Sequence, residues 1–150
     1  MNKDRHIYFI SATRLKLKSF FSLPAFMRAN SASAKQLIKT DGFIAGKELI
    51  DKGLTFWTLT MWAQDADMRS FRNSEAHRNA MRHLPDWCNE ATYTHWLQED
   101  TTLPNWHTVH EKMITHGIVS KVRTPTEQHL NKAFPAPKWK VTEQRFKVKK

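Results

Sequence analysis

Apolar and polar residues alternate along four stretches of this chain with the two-residue period of a β-strand. The first, residues 6–18, opens with a short apolar run and then alternates leucine with basic residues, so its far end should be half exposed. Residues 43–50 and 54–63 predict two strands joined by Asp51-Lys52-Gly53, because glycine in so short a link permits a positive φ. Residues 91–97 predict the fourth strand.

A helical spacing of apolar and small residues follows the first predicted strand. Ser22 precedes Leu23-Pro24, which suits a capping residue followed by proline in the first helical turn, and Gly42 supplies a stop. The residues that share one side of this helix are small, among them Ala29 and Ser33. We therefore expect the helix to lie close to a sheet.

Two further helical patterns appear later in the chain. Asp65 is expected to cap a helix that starts at Ala66, and Ser74 can cap a second segment, so this helix should bend between the two. Pro85 should end or re-start it, because proline lacks the backbone N–H that the helix needs. Residues 105–116 predict a third, amphipathic helix.

The resulting order, β-α-β-β-α-β followed by a third helix, predicts an α+β, ferredoxin-like fold. In that plan a four-stranded antiparallel sheet carries two helices on one face. The strand at residues 54–63 has no charged residue on either side, so both sheet faces must be covered. Two helices cover only one of them. We therefore expect the second face to pack on a second copy, in a C2 homodimer whose sheets enclose a pocket.

Composition and charge divide the chain into three parts. Its 150 residues carry a net charge of +10, but residues 119–150 hold nine Lys or Arg and two Glu, which leaves only +3 for the rest. We expect a barrel domain over residues 1–100, a C-terminal helix over 101–118 and a basic, proline-containing extension over 119–150. Nucleic-acid binding, if present, should therefore depend on the extension.

Three aromatic residues lie among the basic residues of the extension: Phe134, Trp139 and Phe146. Such side chains can stack on nucleic-acid bases. Alternatively, the extension is a solvated tail whose few aromatic side chains dock on the body of the protein. Both interpretations remain open from the sequence.

Several protein classes are disfavoured by what the sequence lacks. The lone Cys88 allows no internal disulfide, and no apolar run approaches the roughly 20 residues that span a bilayer. The first five residues lack the layout of a signal peptide, and the four scattered glycines form no phosphate-binding loop. We therefore expect a cytoplasmic protein that contacts no membrane.

Three segments carry a resemblance to a known superfamily: Phe56-Trp57-Thr58-Leu59-Thr60-Met61-Trp62, Asp65-Ala66-Asp67-Met68-Arg69-Ser70-Phe71 and Ser74-Glu75-Ala76-His77. They resemble the dimeric α+β barrel superfamily, and within it the antibiotic-biosynthesis monooxygenase-like families, a related uncharacterised family and the spheroidene monooxygenase group. The resemblance covers roughly residues 6–98. It implies a homodimer, and the superfamily includes cofactor-independent oxygenases, haem-binding enzymes and proteins with no assigned reaction.

The chain departs from one branch of this superfamily. Haem-degrading members place an Asn in the first strand and a His four residues after the position of His77. Thr13 and Met81 stand at those places here, which argues against haem degradation. His77 and Met81 share one helix side and could still approach a haem. No other cofactor is expected.

His77 is the candidate catalytic residue. A neutral imidazole over a pocket can take a proton from a phenolic or enolic substrate, because its pKa lies near the working pH. In the cofactor-free oxygenases that the resemblance suggests, the resulting anion passes an electron to O2. The alternative is a structural histidine that caps Ser74 or bridges helix and strand.

Candidate substrate-binding residues lie on the predicted strands. Trp57 and Trp62 point to opposite faces of one strand, so only one of them can line the pocket. On the fourth strand, either His95 with Tyr93 or Trp96 with Thr94 faces the interior. Thr13 could supply a hydroxyl, although threonine is also simply a good strand former.

A metal site is not expected. His107, His110 and Glu111 have helical spacings of three and four, but no HExxH order or cysteine accompanies them.

Two functions follow from these observations. The first is a monooxygenase-like protein that binds a flat, mostly apolar small molecule between sheet and helices, with His77 as base. The second is a non-enzymatic dimeric binding module whose basic arm contacts nucleic acid or another acidic partner.

Overall fold

A computed structural model describes residues 6–138 and 143–148 of the chain. The strands form one antiparallel sheet in the order β5-β4-β1-β3-β2-β6. Their bounds are β1 (Tyr8–Leu17), β2 (Phe43–Asp51), β3 (Thr55–Trp62), β4 (Cys88–Gln98), β5 (Ile118–Val119) and β6 (Glu143–Phe146). The α+β ferredoxin-like arrangement of β1 to β4 is confirmed.

The sheet has six strands, so the prediction of a four-stranded sheet is wrong. β5 extends one edge by pairing Val119 with Thr92, and β6 extends the other by pairing Phe146 with Gly46. Neither added strand has an apolar-polar alternation of useful length: β5 has two residues, and β6 reads Glu-Gln-Arg-Phe. Both come from the last part of the chain, which therefore adds one strand to each edge of the sheet.

The helices follow the predicted order with one addition. They are α1 (Leu23–Leu37), α2 (Asp65–Arg72), α3 (Glu75–Trp87), α4 (Trp106–His116) and α5 (Glu127–Asn131), with a 3-10 turn at Phe20–Ser22. The bend before Ser74 is confirmed as the break between α2 and α3. Of the two alternatives for Pro85, it does not end the helix: α3 continues through it to Trp87, since a proline in the last turn costs only one backbone hydrogen bond.

We call the sheet face that carries Thr13 and Thr58 the first face. Helices α1, α2 and α3 cover it. At one end Phe26 of α1 packs on Phe56 of β3, with ring centroids 4.5 Å apart. At the other end Leu37 of α1 belongs to a buried cluster with Trp62 of β3. The small residues of α1 lie between these two contacts.

The second face, which carries Trp57, is covered by the chain itself. Trp57 is fully buried there, and its ring lies 6.5 Å from Trp106 of α4 and 5.9 Å from Phe134. Val109 and Met113 of α4 belong to the same buried cluster. The expectation that a second copy must cover this face is therefore wrong in its premise, because α4 and Phe134 already do so. The homodimer stays a prediction.

The described part of the C-terminal segment is packed on the body. His129 accepts a hydrogen bond from the Ala91 N–H, and the Lys138 N–H donates to Asp51. Phe134 is 4% exposed. The structure therefore agrees with the interpretation in which aromatic residues of the tail dock on the body. Trp139 lies outside the described residues.

A buried ion pair lies under this segment on the second face. Arg14 of β1 donates to Glu90 of β4 at 2.7 Å, and Lys16 Nζ lies 3.4 Å from the same carboxylate. Burial raises the pKa of Glu90, but the contacts with Arg14 and Lys16 outweigh it and bring the pKa below its ordinary value. The Arg14 guanidinium also stands 4.3 Å from the Phe134 ring centroid, a cation–π contact.

Within the described ranges, no helix combines the length and the apolar character that crossing a membrane requires.

Candidate functional site

A cavity of about 370 Å³ lies between the first face of the sheet and helices α1 to α3. This volume falls at the lower end of the roughly 300–1,000 Å³ typical of small-molecule sites. Most of its wall is apolar, and α1 contributes small residues that leave the space open. The principal apolar lining residues are Leu15, Phe26, Leu37, Met68, Phe71, Leu84 and Trp87.

The floor of the cavity carries two rows of polar side chains, set by the strand register. In one row Tyr93, Thr13, Thr58 and Glu48 stand directly opposite one another across β4, β1, β3 and β2. The neighbouring row contains His95, Ser11 and Thr60 on β4, β1 and β3. Because strands lie about 4.8 Å apart, each row spans the width of the cavity. The floor thus offers hydrogen-bonding groups beneath an otherwise apolar space.

His77 lies in the first turn of α3 and lines the cavity. Its Nδ1 lies 3.3 Å from the Arg72 carbonyl oxygen. Since a carbonyl only accepts, Nδ1 carries the proton and Nε2 is the basic atom of the neutral ring. Burial lowers the pKa of His77, and the bond to the Arg72 carbonyl offsets this only in part. Burial therefore favours the neutral form of the imidazole.

An aromatic contact fixes the His77 ring. The His77 and Phe71 rings are 4.9 Å apart, and Phe71 in turn stacks on Trp62 at 5.7 Å. Phe71 lies near the end of α2, and His77 lies near the start of α3. The contact between the two rings therefore depends on the break between these helices. Neither proposed structural role, capping Ser74 or bridging to a strand, matches the bond to Arg72.

Thr13 and His95 also line the cavity, as does Tyr93. Of the two arrangements open for the fourth strand, the pair His95 and Tyr93 faces the cavity. The His95 ring lies 5.1 Å from Phe9 and 5.6 Å from Tyr93. Solvent reaches His95, yet the desolvation by these neighbours lowers its pKa, and the Arg72 charge lowers it further.

Neither tryptophan lines the cavity. Trp57 belongs to the core of the second face, on the opposite side of the sheet from the cavity. Trp62 lies on the first face, but it is fully buried beneath α2, where its Nε1 donates to Thr60 at 2.9 Å. The prediction that they point to opposite faces is confirmed. The structure places neither of these proposed substrate-binding residues in the cavity wall, because α2 encloses Trp62 and α4 covers Trp57.

Glu48 is a cavity residue that sequence reasoning missed. It lies in the middle of β2, is 7% exposed, and accepts hydrogen bonds from Asn30 Nδ2 to both carboxylate oxygens, at 3.0 and 3.2 Å. Burial raises the pKa of Glu48, while hydrogen bonds from Asn30 and Thr58 lower it by less. Lys47 and Glu48 are adjacent charged residues in the middle of β2, so alternation places one of them on each face of the sheet, and this is the signal that could have identified Glu48.

The histidines of α4 do not converge on a metal site. His107 pairs with Glu111 at 3.1 Å on the exposed side of the helix, whereas His110 bonds to the Phe134 carbonyl oxygen at 2.9 Å. Within the described part of the chain, no group of three or more His, Cys, Asp or Glu side chains is arranged to hold a metal ion. His77 and Met81, considered above for haem, both line the cavity.

Comparison with known proteins supports the fold. No family model matches the chain, and no curated protein matches it. Among solved structures, a candidate antibiotic biosynthesis monooxygenase from Nitrosomonas europaea is 14% identical, with a TM-score of 0.54 over 67% of this chain and 96% of that one. Protein SO0527 from Shewanella oneidensis is 9% identical, with a TM-score of 0.56 over 62% and 92%.

A third solved structure is that of an antibiotic biosynthesis monooxygenase. It is 8% identical to this chain, with a TM-score of 0.52 over 63% of this chain and 99% of that one. The chain therefore shares the ferredoxin-like α+β fold of these structures, two of which are antibiotic biosynthesis monooxygenase-like proteins. At these identities the likeness establishes the fold, and the activity has to be argued from the cavity.

Proposed function

We propose that this protein binds a flat, mostly apolar small molecule in the cavity between the sheet and α1 to α3, and oxygenates it without a cofactor, using His77 as the base. The observation that carries the proposal is the state of His77: a cavity-lining, neutral imidazole whose Nδ1 is held by the Arg72 carbonyl, which leaves Nε2 basic. The monooxygenase-like fold of the structural neighbours is consistent with it.

The proposed chemistry requires a substrate with an acidic C–H bond. Nε2 of His77 removes a proton from an activated methylene group, and the carbanion transfers an electron to O2. The radicals combine into a peroxide, which loses water to leave a carbonyl. One oxygen atom enters the product and the other leaves as water, so the substrate supplies all four electrons.

The surroundings of the cavity suit this reaction. Much of its wall is apolar, so a ligand that fills the cavity displaces water, and this strengthens each electrostatic contact made inside. Thr13 and Tyr93 belong to the cavity floor, and their hydroxyl groups can donate hydrogen bonds to an oxyanion that forms on the substrate.

The test uses anthrone, a flat tricyclic compound with an acidic methylene group. O2 consumption and anthraquinone formation are measured with an oxygen electrode and by absorbance, after subtraction of the uncatalysed oxidation. We expect the wild type to turn over anthrone and His77→Gln to lose about 10²–10⁴-fold in rate, the usual contribution of a general base.

His83→Gln is the matched control. His83 lies on the same helix, but it is exposed and does not line the cavity, although its ring stacks at 5.0 Å on the lining residue Trp87. Its substitution should leave the rate within about twofold of the wild type, because general-base catalysis needs direct reach to the proton. Equal rates for the two variants would remove His77 from the mechanism.

The structure offers less support to the nucleic-acid alternative. Its motivation was a free basic arm, and the described part of residues 119–150 is docked through His129, Phe134 and β6. We therefore propose no second function.

A further inference from the structure

Glu48 occupies a position in the cavity that the proposed reaction does not use. It lies on β2 beneath α1, on the far side of the floor from β4. Tyr93, at the β4 end of the same row, is three strands away, which places the two Cα atoms about 14 Å apart. His95 lies on β4, and α3, the helix that carries His77, contacts β4. Glu48 therefore marks the opposite end of the cavity.

The carboxylate of Glu48 has no counter-ion among the described residues. The neighbouring Lys47 points to the second face, where its Nζ lies 3.7 Å from Glu143 and 4.8 Å from the Trp106 ring centroid. The partner of Glu48 on α1 is the neutral amide of Asn30. Buried charges in proteins are ordinarily paired, because removing an isolated charge from water is costly.

Asn30 holds this carboxylate in place without neutralising it. The Nδ2 group reaches both oxygens, so the carboxylate is oriented from one side by α1. Both residues also line the cavity. Such a preorganised acceptor, open to an apolar space and short of one positive charge, complements a cationic donor on a ligand.

We propose that Glu48 and Asn30 form a subsite for a protonated amine at one end of a flat aromatic ligand. The inference rests on the proposed function in so far as the ligand occupies the same cavity. The ligand then lies across the floor with its amine at β2 and its reacting part toward His77. A hydroxyl group would also donate to Glu48, but it would not supply the missing charge.

Two naphthalene compounds of nearly equal shape test the subsite: 2-naphthylmethylamine, which is protonated at pH 7.5, and 2-naphthylmethanol, which is neutral. Binding to the full-length protein is measured by isothermal titration calorimetry. We expect the wild type to bind the amine at least tenfold more tightly than the alcohol, since hydrogen bonds to charged groups are the strong ones. Glu48→Gln should abolish this preference and leave the affinity for the alcohol within about twofold.

Glu75→Gln is the control for a general loss of negative charge. Glu75 is exposed at the start of α3 and does not line the cavity, so its variant should keep the tenfold preference. Circular dichroism spectra establish that each variant is folded.

The outcomes separate this inference from the proposed function. If the wild type binds both compounds equally, or if Glu48→Gln weakens both to the same extent, the amine subsite is wrong although the cavity binds aromatic molecules. If neither compound binds, the binding half of the proposed function fails and the subsite fails with it. Loss of anthrone turnover with an intact amine preference would overturn the reaction alone.

Discussion

Phe134→Ala tests whether the C-terminal segment is part of the fold or merely attached to it. Phe134 is 4% exposed and closes the second face over Trp57 and Arg14. Truncating a buried phenylalanine costs about 3–5 kcal/mol, and the cation–π contact with Arg14 is part of that loss. The expected effect is large against the roughly 5–15 kcal/mol that holds a domain together.

The assay is equilibrium unfolding in guanidinium chloride, followed by tryptophan fluorescence. With a denaturant dependence of roughly 3–6 kcal/mol per molar, a loss of this size moves the midpoint down by about 1 M. Phe21→Ala is the matched control: Phe21 is 97% exposed, and such surface substitutions usually change stability by no more than about 0.5 kcal/mol. A shift for Phe134→Ala no larger than that of Phe21→Ala would refute the claim that this segment covers the second face.

Three further predictions concern buried titratable groups. Glu90→Gln should lower the free energy of unfolding by about 3–5 kcal/mol at pH 7, because it leaves Arg14 buried without its partner. Asp65→Asn is the control: it breaks an exposed pair with Arg69 and should lower the free energy of unfolding by less than about 1 kcal/mol. The folded-state pKa of Glu90 is below its ordinary value. The stabilisation by the ion pair is therefore fully present at a pH above the ordinary pKa, and it is lost as the pH falls through the folded-state pKa. Urea unfolding measured at several pH values follows this loss. Burial raises the pKa of Cys88 to about 12, so its thiol should not react with Ellman's reagent at pH 8 until the protein is unfolded; a stoichiometric reaction in the native state would contradict this. Glu48→Gln should unfold at a higher temperature than the wild type at pH 8, because burial raises the pKa of Glu48 and disfavours its charged form. The difference in unfolding temperature should fade as the pH falls through this raised pKa, because the protonated carboxyl is as neutral as the amide. A difference that does not depend on pH would argue against a buried charge.

The order of the main elements could be predicted because each long strand and helix carries its own periodicity. The two edge strands, β5 and β6, could not be predicted in this way. β6 consists mostly of polar residues, and its one apolar residue, Phe146, packs against the buried cluster that contains Trp62 on the first face. That α4 covers the second face could not be predicted either. The spacing of its apolar residues predicts an amphipathic helix, but it does not say which surface the apolar side will contact.

The candidate site was predictable where alternation alone decides orientation. Thr13 and His95 lie on the cavity floor because side chains alternate along strands, and the structure selects one of the two faces left open. Trp57 and Trp62 show the limit of that argument, since both are buried by helices whose packing is a long-range property. Glu48 depends on Asn30, which is 18 residues away in the chain, and only the fold brings the two together.

The route of the C-terminal segment has a consequence for how the chain folds during synthesis. His129 contacts β4, Phe134 contacts β1 and β3, and Lys138 contacts the end of β2, so this segment crosses the sheet after every central strand has been made. Until residue 134 has left the ribosome, the aromatic surface around Trp57 has only α4 to shield it. Domains generally fold from the N-terminus as they emerge, and exposed apolar surface at that stage favours aggregation. A nascent chain whose residue 134 is still inside the ribosome should therefore recruit chaperones that the released chain no longer needs.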